Sequence, residues 1–315
     1  MTARGRLALR LGVSLGLLAL VFLWVDLGAL LHRFGQTELW GLAAVLVLLT
    51  LGRLLMAYKW WLLLHARALP VSLWGAIRAY YIASLAGLVL PMTVGADAVR
   101  VLAAPRAAGR SELIASVVLE RGLGAGSQAI LAVLALGLLA RHAGLIRDEL
   151  WWAVGGTVLA VVVLVPLSFV LAGWGSRWLD REGISGRVLG PLLAAYAAYR
   201  AHQPLLWGFF ALTLLEGFFP VAIHFVAARG LGLELPFLLF LATVPIVFLV
   251  ARLPVSLGGI GVVESAFVYL ASRLGVLPAD AFAVALLAEA ALVVSLLPGA
   301  VAYFLPAGEP VRTRA

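Results

Sequence analysis

Apolar runs of membrane-spanning length recur along this chain, and no other feature of the sequence narrows its fold as much. Lipid hydrocarbon offers no partner to a free N–H or C=O, so such runs fold as helices that satisfy their own backbone. Broken backbone at membrane depth survives only where it is buried in protein or lines a wet cavity. Composition agrees: of 315 residues, 64% are hydrophobic and 12% charged, with a mean hydropathy of +1.09. The sequence therefore reads as an all-α polytopic membrane protein with about eight transmembrane helices plus re-entrant segments. It forms a single integral membrane domain over 1–315, with an N-terminal half of about 1–140 and a C-terminal half of about 141–308.

Several chemistries drop out at once. Cysteine is absent, which removes disulfides, thiolate zinc sites and thiol nucleophiles. Asn is absent too, so there is no N-glycosylation sequon. The net charge of +8 does not indicate nucleic acid, because the basic residues sit in short loops between apolar runs. Positive-inside topology accounts for that placement. No metal site and no cofactor is expected; Gly258-Gly259-Ile260-Gly261 lacks the strand–turn–helix setting of a dinucleotide loop.

In chain order, Arg4, Arg6 and Arg10 precede a retained first span, Leu11–Val25. Leu39–Tyr58 is the second, interrupted by Arg53 and closed by Lys59-Trp60-Trp61 as an interfacial anchor. Ala76–Pro91 is short for a crossing, which takes roughly twenty residues, and is read as re-entrant. Leu113–Ala140 and Trp151–Ala172 span. Gly173–Pro204 is a polar connection whose tryptophans and tyrosines suit an amphipathic helix lying on the membrane. Leu205–Ala228, Pro236–Val250, a segment ending near Ala271 and Ala281–Phe304 complete the set.

With the N-terminus inside, fifteen Lys/Arg fall on the inner side: three N-terminal, six across Lys59–Arg110, four in the long connection and two near the C-terminus. Five fall outside, and Arg53, Arg121 and Arg252 lie within membrane segments. That bias puts both termini on the cytoplasmic side, and the inner membrane is the expected location.

Two breaks share one pattern. Leu90-Pro91-Met92-Thr93-Val94-Gly95 and Leu253-Pro254-Val255-Ser256-Leu257-Gly258 both read L-P-x-[ST]-x-G, and Asp97 and Glu264 follow them. Paired Gly/Pro breaks in the two halves of a membrane protein point to an internal repeat and to a transporter's binding site. The second break, Arg252 to Glu264, adds Gly259 and Gly261.

On these residues the chain resembles the transmembrane region of lysylphosphatidylglycerol synthases and their stand-alone, flippase-like relatives. The motifs are Arg53 with Lys59-Trp60, Tyr80-Tyr81 leading to Pro91, Gly95, Asp97 and Arg100, Glu120-Arg121, and Pro254 through Gly258, Gly259, Gly261 and Glu264. The chain departs from relatives that carry Arg-Trp where Lys59-Trp60 stands, and it has an acidic residue, Glu289, where a basic one is common nearby. The resemblance implies an eight-span region that moves or holds anionic lipids. The full-length synthases add an aminoacyl-tRNA-dependent transferase domain, and with eleven residues after Phe304 and no long loop this chain is expected to carry none.

A lipid phosphate crossing a low-dielectric region calls for Arg, which stays charged and forks onto phosphate oxygens. Arg53, Arg121 and Arg252 are thus the headgroup candidates, with Asp97 and Arg100 beside the first break. Free N–H groups at the breaks would assist. Glu120, Glu216, Glu264 and Glu289 are carboxylates available for buried pairing. Adjacent Glu120 and Arg121 point about 100° apart on a helix, so each meets a different neighbour and the span becomes a hub. Asp97 and Arg100 also read as a solvated pair near the inner surface, and His224 as an interhelical hydrogen-bonding group.

The expected function is transport or binding of an anionic phospholipid or polyprenyl-phosphate lipid, without catalysis. The competing class is an accessory membrane protein that holds a lipid for a glycosyltransferase or envelope-assembly system. A homodimer or such a glycosyltransferase is the protein partner either reading allows.

Overall fold

The computed structural model describes residues 27–35, 37–88, 90, 93–105, 108–142, 144, 149–178, 184–251 and 261–305. They form thirteen α-helices and a 3₁₀ turn, with no strand among the described residues. In order these are α1 (Leu27–Gly35), α2 (Leu39–Ala66), α3 (Leu73–Gly87), α4 (Thr93–Ala103), α5 (Arg110–His142), α6 (Glu149–Trp178) and α7 (Ile184–Ala198). The 3₁₀ turn Tyr199–His202 leads to α8 (Gln203–Gly217), α9 (Phe219–Gly230), α10 (Phe237–Ala251), α11 (Val262–Arg273), α12 (Pro278–Leu296) and α13 (Pro298–Phe304). Among the described residues five stretches are long and apolar enough to cross a membrane: Leu39–Ala66, Arg110–His142, Trp151–Arg177, Leu189–Gly230 and Pro278–Phe304. Phe237–Ala251 is apolar but shorter, and Leu11–Val25 lies outside the described residues.

The longest pairing sets α2 antiparallel to α8 and α9 along its whole length. Gly41 meets Gly230, Gly52 meets the Phe219 ring, Lys59 bonds Thr213, and the Leu63 carbonyl accepts from Tyr199. A Cβ on Gly41 would lie 2.3 Å from Gly230 Cα, so this crossing exists only between glycines. The Glu38 N–H donates to Gly230 O at 2.8 Å and ties the two helix ends. Between α8 and α9 the helix breaks at Gly217–Phe218.

Both halves carry a helical hairpin too short to cross twice. In the first, α3 packs on α4; Ser72 caps α3 by accepting the Gly75 N–H at 3.0 Å. At 1.5 Å rise per residue the two helices reach about 22 and 17 Å, against a hydrocarbon core of about 30 Å. In the second, α10 packs on α11, again with helices of 15 and 12 residues. The first L-P-x-[ST]-x-G motif joins α3 to α4. The second stands between α10 and α11, and its Pro254, Gly258 and Gly259, like Pro91 and Arg252, lies outside the described residues.

Two boundaries differ from the sequence reading. The polar connection read as beginning at Gly173 starts later: α6 runs on to Trp178, and the helix expected beyond it, α7, folds back antiparallel on α6, Ala197 against Gly173 and Leu193 against Gly175. The second span is also no twenty-residue helix closed by an anchor, since α2 continues to Ala66. Lys59 and Trp60 are 2% and 0% exposed. The cause is tertiary: α8 lies alongside and supplies Lys59 with a carboxylate.

Candidate functional site

Arg53 occupies the middle of the 28-residue helix α2, so its charge lies near the midplane of any bilayer that helix crosses. Around it, α2, α3, α4, α5 and α8 bring together a network of charged and aromatic side chains. Arg53 Nη1 donates to Ser84 Oγ at 3.0 Å, while its Nε is buried without a hydrogen-bond partner among the described residues. Tyr80, Tyr81 and Glu216 are close enough to act on its charge. One turn and a half further on, Lys59 Nζ donates to Thr213 Oγ1 at 2.9 Å and pairs with Glu216 from α8. Its ammonium also lies 4.9 Å from the Phe209 ring centroid.

A second deeply buried cation is Arg100, 3% exposed. Its guanidinium is held between the Trp60 ring at 4.8 Å and the Tyr80 ring at 4.7 Å. Arg100 Nη1 pairs with Glu120 Oε2 at 2.6 Å and Nη2 with Asp97 Oδ1 at 3.2 Å. Tyr80 O–H donates to Glu120 Oε1 at 3.0 Å. Trp60 is fixed in turn by its indole N–H, which donates to Ser116 Oγ at 3.0 Å. Two aromatic faces and two carboxylates compensate a cation that burial alone would penalise heavily.

Arg121 completes the network from α5. Its Nε donates to Asp97 Oδ2 at 2.8 Å and its Nη2 to Asp97 Oδ1 at 3.0 Å, a two-bond fork. The Arg121 side chain is 47% exposed, although it stands only about 8 Å from the centre of α5 by helical rise. Four cations (Arg53, Lys59, Arg100, Arg121) thus face three carboxylates (Asp97, Glu120, Glu216). Among the described residues, Arg53 is the member with no carboxylate within salt-bridge distance.

Of the residues singled out from sequence, Arg53, Asp97, Arg100, Glu120, Arg121 and Glu216 come together here. Glu120 and Arg121 do diverge, but both reach the same helix, α4, at Arg100 and Asp97 respectively. Asp97 and Arg100 are not a solvated loop pair: they sit one turn apart on α4, and α5 buries Arg100. Gly95 lies in the first turn of α4 with Leu90 Cβ 3.0 Å from where its own would be. Lys59-Trp60, which reads from sequence as an interfacial anchor, belongs to the network, Tyr80 enters it from the Tyr80-Tyr81 motif, and Ser84 and Thr213 are members to which the sequence pattern gives no role. A helical signal is available for Trp60, which is seven residues after Arg53 and falls on the same face. With Lys59 and Arg100 inside the network, thirteen of the fifteen inner-side cations remain.

Glu264 and Glu289 lie elsewhere. Glu264 is 2% exposed at the third position of α11, where its Oε2 accepts the Gly261 N–H at 2.7 Å. Gly261 has φ +82°, a conformation suited to glycine, and begins the helix. Glu289 on α12 is near enough to act electrostatically on Glu264 and makes no hydrogen bond or ion pair with the described residues. His224 bonds Pro220 O at 2.8 Å within its own helix, and not across helices. Phe267 and Phe248 surround its ring. No group of three His, Asp or Glu suited to a metal ion occurs among the described residues.

A helical membrane protein with two broken hairpins and a charged network at mid-helix depth is the class this architecture defines. Within that class, the family model for the lysylphosphatidylglycerol synthase transmembrane region matches residues 7–299, nearly the whole chain. The protein belongs to that family. Comparison with curated proteins and with solved structures gave no match.

Proposed function

We propose that the protein binds an anionic membrane lipid by its phosphate at the Arg53–Arg121 network and passes it between the leaflets, without catalysing a reaction. The phosphate class covers both phospholipids and polyprenyl-phosphate-linked lipids. The observation that carries this reading is Arg53: a guanidinium in mid-helix, with a buried Nε lacking a partner among the described residues and Glu216 near but not within salt-bridge distance, in a network with one more cation than anion. A cation at that depth calls for a counter-ion, and a fork of N–H donors suits a phosphate. Membership of a membrane family named for a lipid synthase's transmembrane region supports a lipid as the partner. The surplus of inner-side cations supports an inner-membrane setting with cytoplasmic termini.

The test is reconstitution in vesicles with a fluorescent phosphatidylglycerol in one leaflet. Arg53→Ala and Arg121→Ala are each expected to abolish protein-dependent movement at normal protein level. Unchanged movement in both would remove the headgroup role. If wild type retains anionic lipid through purification yet moves none, the accessory reading, a lipid held for a glycosyltransferase, replaces transport.

A further inference from the structure

Asp97 holds the one fork in the network that is open to the surroundings. Arg100 is enclosed between Trp60 and Tyr80 and already has Glu120 at 2.6 Å, so Asp97 at 3.2 Å is its second carboxylate. For Arg121 the position is reversed: Asp97 is its ion-pair partner, taken through both Nε and Nη2, and the side chain is 47% exposed. Two parallel N–H donors on two oxygens of one anion is also how an arginine takes a phosphate. Meanwhile α4 stays joined to α5 by the buried Arg100–Glu120 pair. The outer pair can therefore open without unseating the helix.

We propose that Asp97 is a built-in stand-in for the ligand's phosphate. It fills the Arg121 fork when the site is empty, and the arriving headgroup displaces it. Asp97 then sets the affinity of the site, because every phosphate must compete with a tethered carboxylate. The inference rests on the headgroup role of Arg121 proposed above. Tight lipid retention is opposed by this competition, which suits a site that must release what it takes.

Binding of fluorescent phosphatidylglycerol to the full chain in phosphatidylcholine nanodiscs tests it. If Asp97 occupies the fork for about nine-tenths of the time, its removal raises apparent affinity about tenfold. Asp97→Asn is expected to show that gain, and the double variant Asp97→Asn/Arg121→Ala to lose it. A merely structural Asp97 would give weaker binding in Asp97→Asn, and equal or weaker binding overturns the proposal. No preference of wild type for phosphatidylglycerol over phosphatidylcholine would instead defeat the headgroup reading itself. Should Asp97→Asn fail to fold, wild type carries the test: carbodiimide labelling at Asp97, mapped by mass spectrometry, should rise with phosphatidylglycerol and not with phosphatidylcholine. Labelling that stays constant overturns the displacement.

Discussion

The hairpins α3–α4 and α10–α11 have the same plan, two short helices around an L-P-x-[ST]-x-G break, yet they are fastened to the protein by different forces. The first adds ions to its apolar packing against Trp60, Leu113 and Val117: Asp97 and Arg100 of α4 reach Glu120 and Arg121 of α5, and Tyr80 of α3 joins them. The second is held through apolar contact. Phe240 stacks on Phe267 with ring centroids 6.1 Å apart, inside a core that also takes Val45 and Leu49 of α2, Val221 of α9 and Phe282 of α12. Its acidic residue, Glu264, turns back onto Gly261 N–H and pairs with no cation among the described residues. The proposed function makes the first hairpin the ligand-facing element and the second a support, because among the described residues the charge that could exchange with a phosphate is on the first.

Loss of one buried ionic partner gives the largest expected effect. Glu120→Ala would leave Arg100 enclosed with its strongest partner gone, at a cost of about 3–5 kcal/mol. Thermal unfolding in detergent should show it. Glu120→Gln, which keeps an acceptor for Tyr80, is expected to lose less. A drop no larger than that of a surface variant would mean that the ionic fastening of α4 is wrong.

The matching cut in the second hairpin is Phe267→Ala. A buried Phe→Ala in a soluble core costs roughly 3–5 kcal/mol, but much of that is transfer from water. Between membrane helices the alternative neighbour is lipid, so mainly packing is lost. We expect about 1–3 kcal/mol in the same unfolding assay, below Glu120→Ala. The reverse order would show that the second hairpin is the more firmly held of the two.

The ranking also explains what could be read in advance. Helices followed from the long apolar runs, and the hairpins from Gly/Pro breaks beside short ones, because those are local properties of the chain. The divergence of Glu120 from Arg121 followed from helical geometry alone. Lys59 did not, since Lys59-Trp60-Trp61 at the end of an apolar run has the composition of an interfacial anchor. Only Glu216, on a helix 157 positions away, turns it into a buried pair. Arg100 was misplaced for the same reason: burial by α5 and the Trp60–Tyr80 clamp depend on tertiary register, which short-range pattern does not carry. The tip of the second break, the most conspicuous anomaly in the sequence, lies outside the described residues, so its glycines and Arg252 add nothing to this comparison.

The smallest effect is the most selective between the two fastenings. Raising salt from about 0.15 to 1 M shortens the screening length from about 8 to 3 Å. In the water-filled cavity that the proposed transport requires, screening reaches the Asp97–Arg121 pair, where the arginine is half exposed, and leaves the buried Arg100–Glu120 pair largely untouched. An exposed ion pair contributes about 0–1 kcal/mol, so opening of α4 should become easier by no more than about fivefold. Hydrogen exchange by mass spectrometry can resolve that. Amides of Thr93–Ala103 should exchange faster at high salt while those of Val262–Arg273 stay constant, because stacked rings and a backbone cap do not respond to ionic strength. Equal acceleration in the two helices would mean that salt acts on the whole protein, and the contrast between an ionic hairpin and an apolar one would then fail.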